Sequence, residues 1–155
     1  MTLDDRMTGI DVQFVGLPSP TAPRVGAGGH PCQGLYYSPK GARPKTAVIA
    51  THYNVDFSEH YIAPFFAERG LGFLGWNTRY RGAEDQFLLE QALIDIGVGM
   101  RWLREDAGVE RIVFGSKSPL FYFESNSLKL REAGIAGPVA SAILEGNASA
   151  LLQGR

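Results

Sequence analysis

The chain has 155 residues, of which 45% are hydrophobic and 20% charged, a balance that suits one globular core. Its formal net charge is −1 and no basic block stands out, which argues against nucleic acid or an anionic membrane as partner and leaves a small molecule as the expected one. A single cysteine, Cys32, excludes an internal disulfide and a cysteine-built zinc cluster, and fits a reducing, cytoplasmic setting.

In chain order, the opening MTLDDR carries acids where a signal peptide needs a basic region, and no apolar run reaches membrane-spanning length. Residues 10–17 and 33–38 read as strands: Ile10, Val12, Phe14 and Leu17 largely alternate, and Leu35, Tyr36 and Tyr37 are aromatic-rich. The Pro/Gly/Ser-rich stretch 17–31 connects them, so a hairpin at a sheet edge is expected. Three short continuous apolar runs follow, at 46–50, 71–76 and 109–114, the pattern of strands covered on both faces. Residues 57–69 predict a helix, with Asp56 and Glu59 spaced as a capping box and Gly70 as the stop; Pro64 places its regular start near Ala63 or kinks it there. A second helix is predicted from Leu89, Ala92, Ile96, Met100 and Leu103, with Glu84 and Asp85 at its start, Arg101 and Arg104 at its end and Gly108 beyond.

Residues 45–116 therefore read strand, helix, strand, helix, strand, which builds a parallel sheet with helical crossovers. The expected fold is α/β, a mainly parallel sheet of about five or six strands with helices on both faces and an antiparallel edge. It is read as one domain: 1–44 supply edge strands and a loop, 45–116 the βαβαβ core, and 117–155 a tail of open structure. In such sheets the functional loops follow the C-terminal strand ends, here 51–56, 77–83 and 115–119.

The run TAVIATH, ending at His52, resembles the third strand of the α/β-hydrolases and the start of their oxyanion loop. Asn77 to Gly82 (NTRYRG) resembles that family's turn after the fourth strand, and Asp95, Trp102, Leu103 and 108–113 (GVERIV) resemble its next helix and the strand that delivers the nucleophile. The resemblance covers about seventy residues, roughly 45–114, and implies an ester or acyl-bond hydrolase scaffold without a cofactor. It places His52, Tyr53 and Asn54 in the oxyanion loop. Tyr53 and Tyr80 stand where the family pattern has glycine, so bulky side chains would close or reshape the entrance.

Beyond the fifth strand the resemblance fails. The family's G-x-S-x-G elbow aligns with Phe114 to Leu120 (FGSKSPL) and puts Ser118 at the nucleophile position. Pro119 has no N–H, so one oxyanion donor is absent, a loss of roughly 2.7–4 kcal/mol where such donors have been removed. It also holds Ser118 in extended backbone, against the strained elbow. A shift of two residues makes Ser116 the candidate and sets Phe114 where a glycine belongs. Either serine suits a helix N-cap. The acid and base should follow the nucleophile, yet no histidine follows His60 and no aspartate follows Asp106, which leaves Glu124, Glu132 and Glu145; without a base a serine hydroxyl is a poor nucleophile. The expectation is a scaffold weak or inactive as it stands, read normally to Phe114 and then divergent, truncated or in another frame. In the tail, 120–124 could open a helix, and 138–144 is a sixth strand or a small-residue helix.

Three rival readings compete. His52, Asp56, Glu59 and His60 approach a metal-ligand spacing, but the strand end at His52 breaks the helix this would need, so no metal is expected. The loop 115–118 joins a strand to a possible helix and offers N–H groups and Lys117 to an anion or nucleotide, although it lacks the P-loop pattern; 25–29 (VGAGG) also falls short of a dinucleotide fingerprint. Finally, a non-catalytic module with an uncovered sheet edge would associate with another chain or with itself.

Overall fold

The computed structural model describes residues 8–20, 31–52, 55–113 and 137–153. Tyr53, Asn54, Ser116, Ser118, Pro119 and the glycine-rich 25–29 lie outside them. Two compact units divide the chain, Met1–Glu110 and Arg111–Arg155.

In the first unit β1 (Ile10–Leu17) and β2 (Cys32–Pro39) form the expected antiparallel pair, in unbroken register from Ile10 opposite Pro39 to Leu17 opposite Cys32. β3 (Thr46–His52) leads through α1 (Ala63–Glu68) to β4 (Gly72–Asn77). β4 lies between β2 and β3, antiparallel to the first and parallel to the second, which gives a mixed sheet in the order β1-β2-β4-β3. The crossover through a helix is what allows the parallel pair, since a tight turn can join only antiparallel strands.

All six residues of β4 are buried, because the strand is covered on both faces. Phe73 points to one face and packs with Ile10, Tyr37, Ala63 and Ala67, so α1 covers that side. Trp76 points to the other, under α2 (Leu89–Glu105). A Cβ at Gly99 of α2 would lie 3.0 Å from the Trp76 ring and 3.1 Å from Ile49, so the missing side chain is what lets helix and sheet approach. Tyr36 and Trp102 meet edge to face at 5.2 Å on the same side.

Both helices differ from expectation at their starts. α1 begins at Ala63, with Pro64 in its first turn, where a missing N–H costs nothing. The Asp56–Glu59 capping box does not form: Ile62 is the N-cap without a side-chain bond, and Asp56 instead accepts from Ser58 N at 2.8 Å. The predicted stop holds, for Gly70 takes φ 81° and the bonds Leu71 N to Phe66 O and Gly70 N to Ala67 O close a Schellman motif. Glu84 and Asp85 belong to a separate 3₁₀ turn, Glu84–Gln86, so α2 starts later, at Leu89, which is itself exposed. The buried face of α2 is Ala92, Asp95, Val98, Gly99, Trp102 and Leu103. It turns from the purely apolar stripe because Asp95 has a buried partner.

The second unit contains β5 (Arg111–Val113), α3 (Gly137–Ser141), a π-helical turn (Ala142–Gly146) and α4 (Asn147–Leu152). Asn147 Nδ2 donates to Ile112 O at 3.1 Å and ties helix to strand. Residues 138–144 are thus helical, which resolves the alternative that period alone left open.

Candidate functional site

β3 and β4 end side by side, with His52 in register with Asn77. The chain beyond β3 folds back over the end of β4. Asn77 Oδ1 accepts from Phe57 N at 2.8 Å and Asn77 Nδ2 donates to Asp56 Oδ1 at 2.7 Å. Asp56 also accepts from the Ser58 hydroxyl and, through Oδ2, from Arg81. Two of the three expected functional loops, 51–56 and 77–83, are therefore joined through Asp56; the third, 115–119, lies outside the described residues. Gly75 makes the approach possible, because a Cβ there would stand 2.1 Å from Phe57 O.

Burial disfavours the charged form of Asp56, but the bonds from the Ser58 hydroxyl and N–H and from Asn77, with the Arg81 charge, outweigh it and bring the carboxyl down to about 2. It is ionised at neutral pH and acts as a fixed acceptor. His52 Nδ1 accepts from Val55 N at 3.2 Å and its ring stacks on Phe57 at 5.6 Å. His60 lies against Phe57, Tyr61 and Phe73. Burial pushes its pKa below the ordinary histidine value, so the ring is neutral at pH 7.

Beneath the strand ends, on the α2 face, lies a buried ionic network. Asp95 is fully buried and the Arg79 side chain 3% exposed. Arg79 grips the carboxylate with both ends of its guanidinium, Nε to Oδ2 at 2.8 Å and Nη2 to Oδ1 at 2.6 Å, and its backbone N adds a bond to Oδ2 at 3.0 Å. Ser19 Oγ donates to Oδ1 at 2.8 Å, Trp76 Nε1 to Asp95 O at 2.9 Å, and Gln91 Oε1 accepts from Arg79 Nη1 and Tyr80 Oη. For Asp95 burial works against ionisation, and the Arg79 and Ser19 bonds overcome it and hold the pKa below the usual carboxylate range. Cys32, also fully buried, is pushed up to about 12 by burial first and then by the Asp95 charge. It is a thiol with no nucleophilic character at neutral pH. The network pins the turn after β4 to α2 and to the segment after β1, which fixes the strand ends in place.

Of the residues predicted from sequence, His52 stands at the C-terminal end of β3; Tyr53, Asn54, Ser116 and Ser118 lie outside the described residues. His52, Asp56, Glu59 and His60 do not share a helix, since His52 ends a strand and 55–62 form loop and turns. Among the described residues no group of three or more His, Cys, Asp or Glu could hold a metal ion, and no helix is long and apolar enough to cross a membrane. Two features went unread. The resemblance marked Arg79 and Asp95 separately without pairing them, although an aspartate three residues after Ala92 on an otherwise apolar helix face was a usable signal for a buried cation. The role of Asp56 as the link between loops had no such signal.

No family model and no curated protein matches the sequence. Solved structures do match the fold. A bacterial heroin esterase superposes with a TM-score of 0.56 at 14% identity, over 84% of this chain and 42% of its own. A cold-adapted esterase from an Arctic intertidal metagenomic library gives 0.53 at 11%, over 68% and 50%. Brefeldin A esterase, a bacterial homologue of human hormone-sensitive lipase, gives 0.51 at 13%, over 73% and 33%. The chain spans half or less of the length of each.

Proposed function

Starting from a chain that carries part of the α/β-hydrolase fold, we propose that these 155 residues are the first half of an ester- or acyl-hydrolase scaffold, and that they turn over esters weakly or not at all. The observation that carries this reading is the join at the strand ends. The β2-β4-β3 order sets His52 beside Asn77, and the loops after both strands are locked together through Asp56, where a substrate carbonyl would have to be held.

What is missing is a base in the right place. No histidine follows Ser116 or Ser118 in the 155 residues, and Pro119 removes the N–H that would complete an oxyanion hole at Ser118. His60 is neutral but packed among Phe57, Tyr61 and Phe73, and Ser58 gives its hydroxyl to Asp56. In this reading the ligand is a small molecule with an acyl group, no cofactor takes part, and a buried Cys32 thiol suits the cytoplasm. The test is turnover of short-chain p-nitrophenyl esters by the purified chain. Rates at the buffer background support the proposal; saturable turnover abolished by Ser118→Ala or Ser116→Ala overturns it.

A second reading, a non-catalytic module that binds another chain, is favoured by one observation: among the described residues no strand pairs with the outer edge of β1.

A further inference from the structure

β1 ends the sheet, with β2 on one side and no described strand on the other. Lys40 N donates to Gly9 O at 2.9 Å, so in the unbroken β1–β2 register the odd-numbered residues, Asp11 to Leu17, exchange their backbone bonds with β2. The N–H and C=O groups of Ile10, Val12, Phe14 and Gly16 then point to the outer edge. Natural edge strands are blunted by proline, lysine, a bulge or shortness. This one has eight residues, no proline, no lysine and no break in register, and its one charge, Asp11, accepts a bond from Gly41 N at 2.9 Å.

Side chains add to the edge. Ile10 lies in the core under α1, whereas Val12 is 39% and Phe14 65% exposed on the same face. The helix has six residues and runs about 9 Å, too short to cover them. At Gly16 a Cβ would lie 3.0 Å from the Phe14 ring, so glycine is what lets that ring lie along the strand.

We propose that β1 is a homodimer edge, at which two copies of this chain pair antiparallel about a two-fold axis through Gln13 and continue the sheet from one copy into the other. The outward-pointing groups require even-numbered residues to pair with even-numbered ones, which this register does, and the side chains favour it further. Val12 faces the partner's Phe14 and Phe14 the partner's Val12, a β-branched and aromatic pairing that favours antiparallel strands. Ile10 faces the partner's Gly16, which has no side chain of its own and carries the Phe14 ring beside it. Asp11 faces the partner's Val15, so no like charges are opposed. A C2 interface needs such a self-complementary patch. The inference is independent of the hydrolase reading.

The test is cross-linking in the full chain. Gln13 is exposed and faces its own copy across the axis in a non-hydrogen-bonded pair, with Cα atoms roughly 4.5 Å apart, inside the range a disulfide spans. Gln13→Cys should give a disulfide-linked dimer under mild oxidation, while Asp11→Cys, about 13 Å from its counterpart, should not. In sedimentation, Val12→Lys/Phe14→Lys and Val12→Glu/Phe14→Glu should each be monomeric, and an equimolar mixture of the two should recover the dimer. All four variants alter exposed positions, and circular dichroism checks their folding. A wild-type chain that is monomeric at every concentration, equal cross-linking at both cysteine positions, or folded Lys and Glu variants that stay apart when mixed, overturns the proposal.

Discussion

Replacing Asp95 with asparagine keeps the side-chain shape and removes the charge, which isolates the electrostatic contribution of the buried network. Asp95 is fully buried and accepts two guanidinium bonds, the Arg79 backbone N–H and the Ser19 hydroxyl. In the variant the Arg79 guanidinium keeps Gln91 and loses the charge of the Asp95 carboxylate. Breaking a buried pair from one side costs about 3–5 kcal/mol, whereas replacing both partners by apolar groups of similar volume is often neutral. Urea denaturation should therefore show a loss of about 3–5 kcal/mol for Asp95→Asn, a similar loss for Arg79→Met, and for Arg79→Met/Asp95→Leu a loss well below the sum of the two. The double-mutant cycle measures this coupling directly. A loss under about 1 kcal/mol for Asp95→Asn, in the range of an exposed ion pair, or additive single losses, would refute the assignment of the network as what fixes the strand ends.

Three further outcomes follow from the same geometry. Gly75→Ala forces a Cβ to 2.1 Å from Phe57 O, backbone that cannot rotate away; a loss of about 1–3 kcal/mol is expected, and an unchanged denaturation midpoint would show that the loop does not close on β4. His60 has its folded pKa below 6.5, so the unfolded chain takes up the proton first: this stability is complete above the ordinary histidine value and is lost as pH falls below it. His60→Gln should flatten the loss between neutral pH and pH about 5, and an unaltered slope would contradict the burial of the ring. Asp56, held at about 2 against 3.8, contributes stability that is present above the ordinary carboxylate value and lost as pH falls through about 2; Asp56→Asn should remove that acid-limb slope, and a wild-type acid limb in the variant would deny its bonds to Ser58, Asn77 and Arg81.

Much of this fold is legible in the sequence, because the cues are local. Continuous apolar runs with small residues mark β3 and β4; β4 is buried on both faces, which leaves no alternation to read, whereas β3 is half-buried from Val48 onward, and Gly70 stops α1 because only an unhindered residue takes φ 81° easily. The helix starts were misread for a non-local reason. Asp56 and Glu59 have the spacing of a capping box, yet Asp56 is held by Asn77 and Arg81, 21 and 25 residues away, and no spacing rule records that competition. Asp95 lies on the predicted helix, but its partner Arg79 lies in the turn after β4. The neighbours that turn the buried face of α2 toward it, Ser19 and Arg79, come together only in the folded sheet.

The function proposed above is a hydrolase-like scaffold that lacks an activated serine. Treating the intact chain with a serine-directed fluorophosphonate, followed by peptide mass spectrometry, tests that most directly. The prediction is no adduct at Ser116, Ser118 or Ser58 under conditions that fully label a working serine esterase. A stoichiometric adduct at Ser116 or Ser118 would show an activated nucleophile and contradict it.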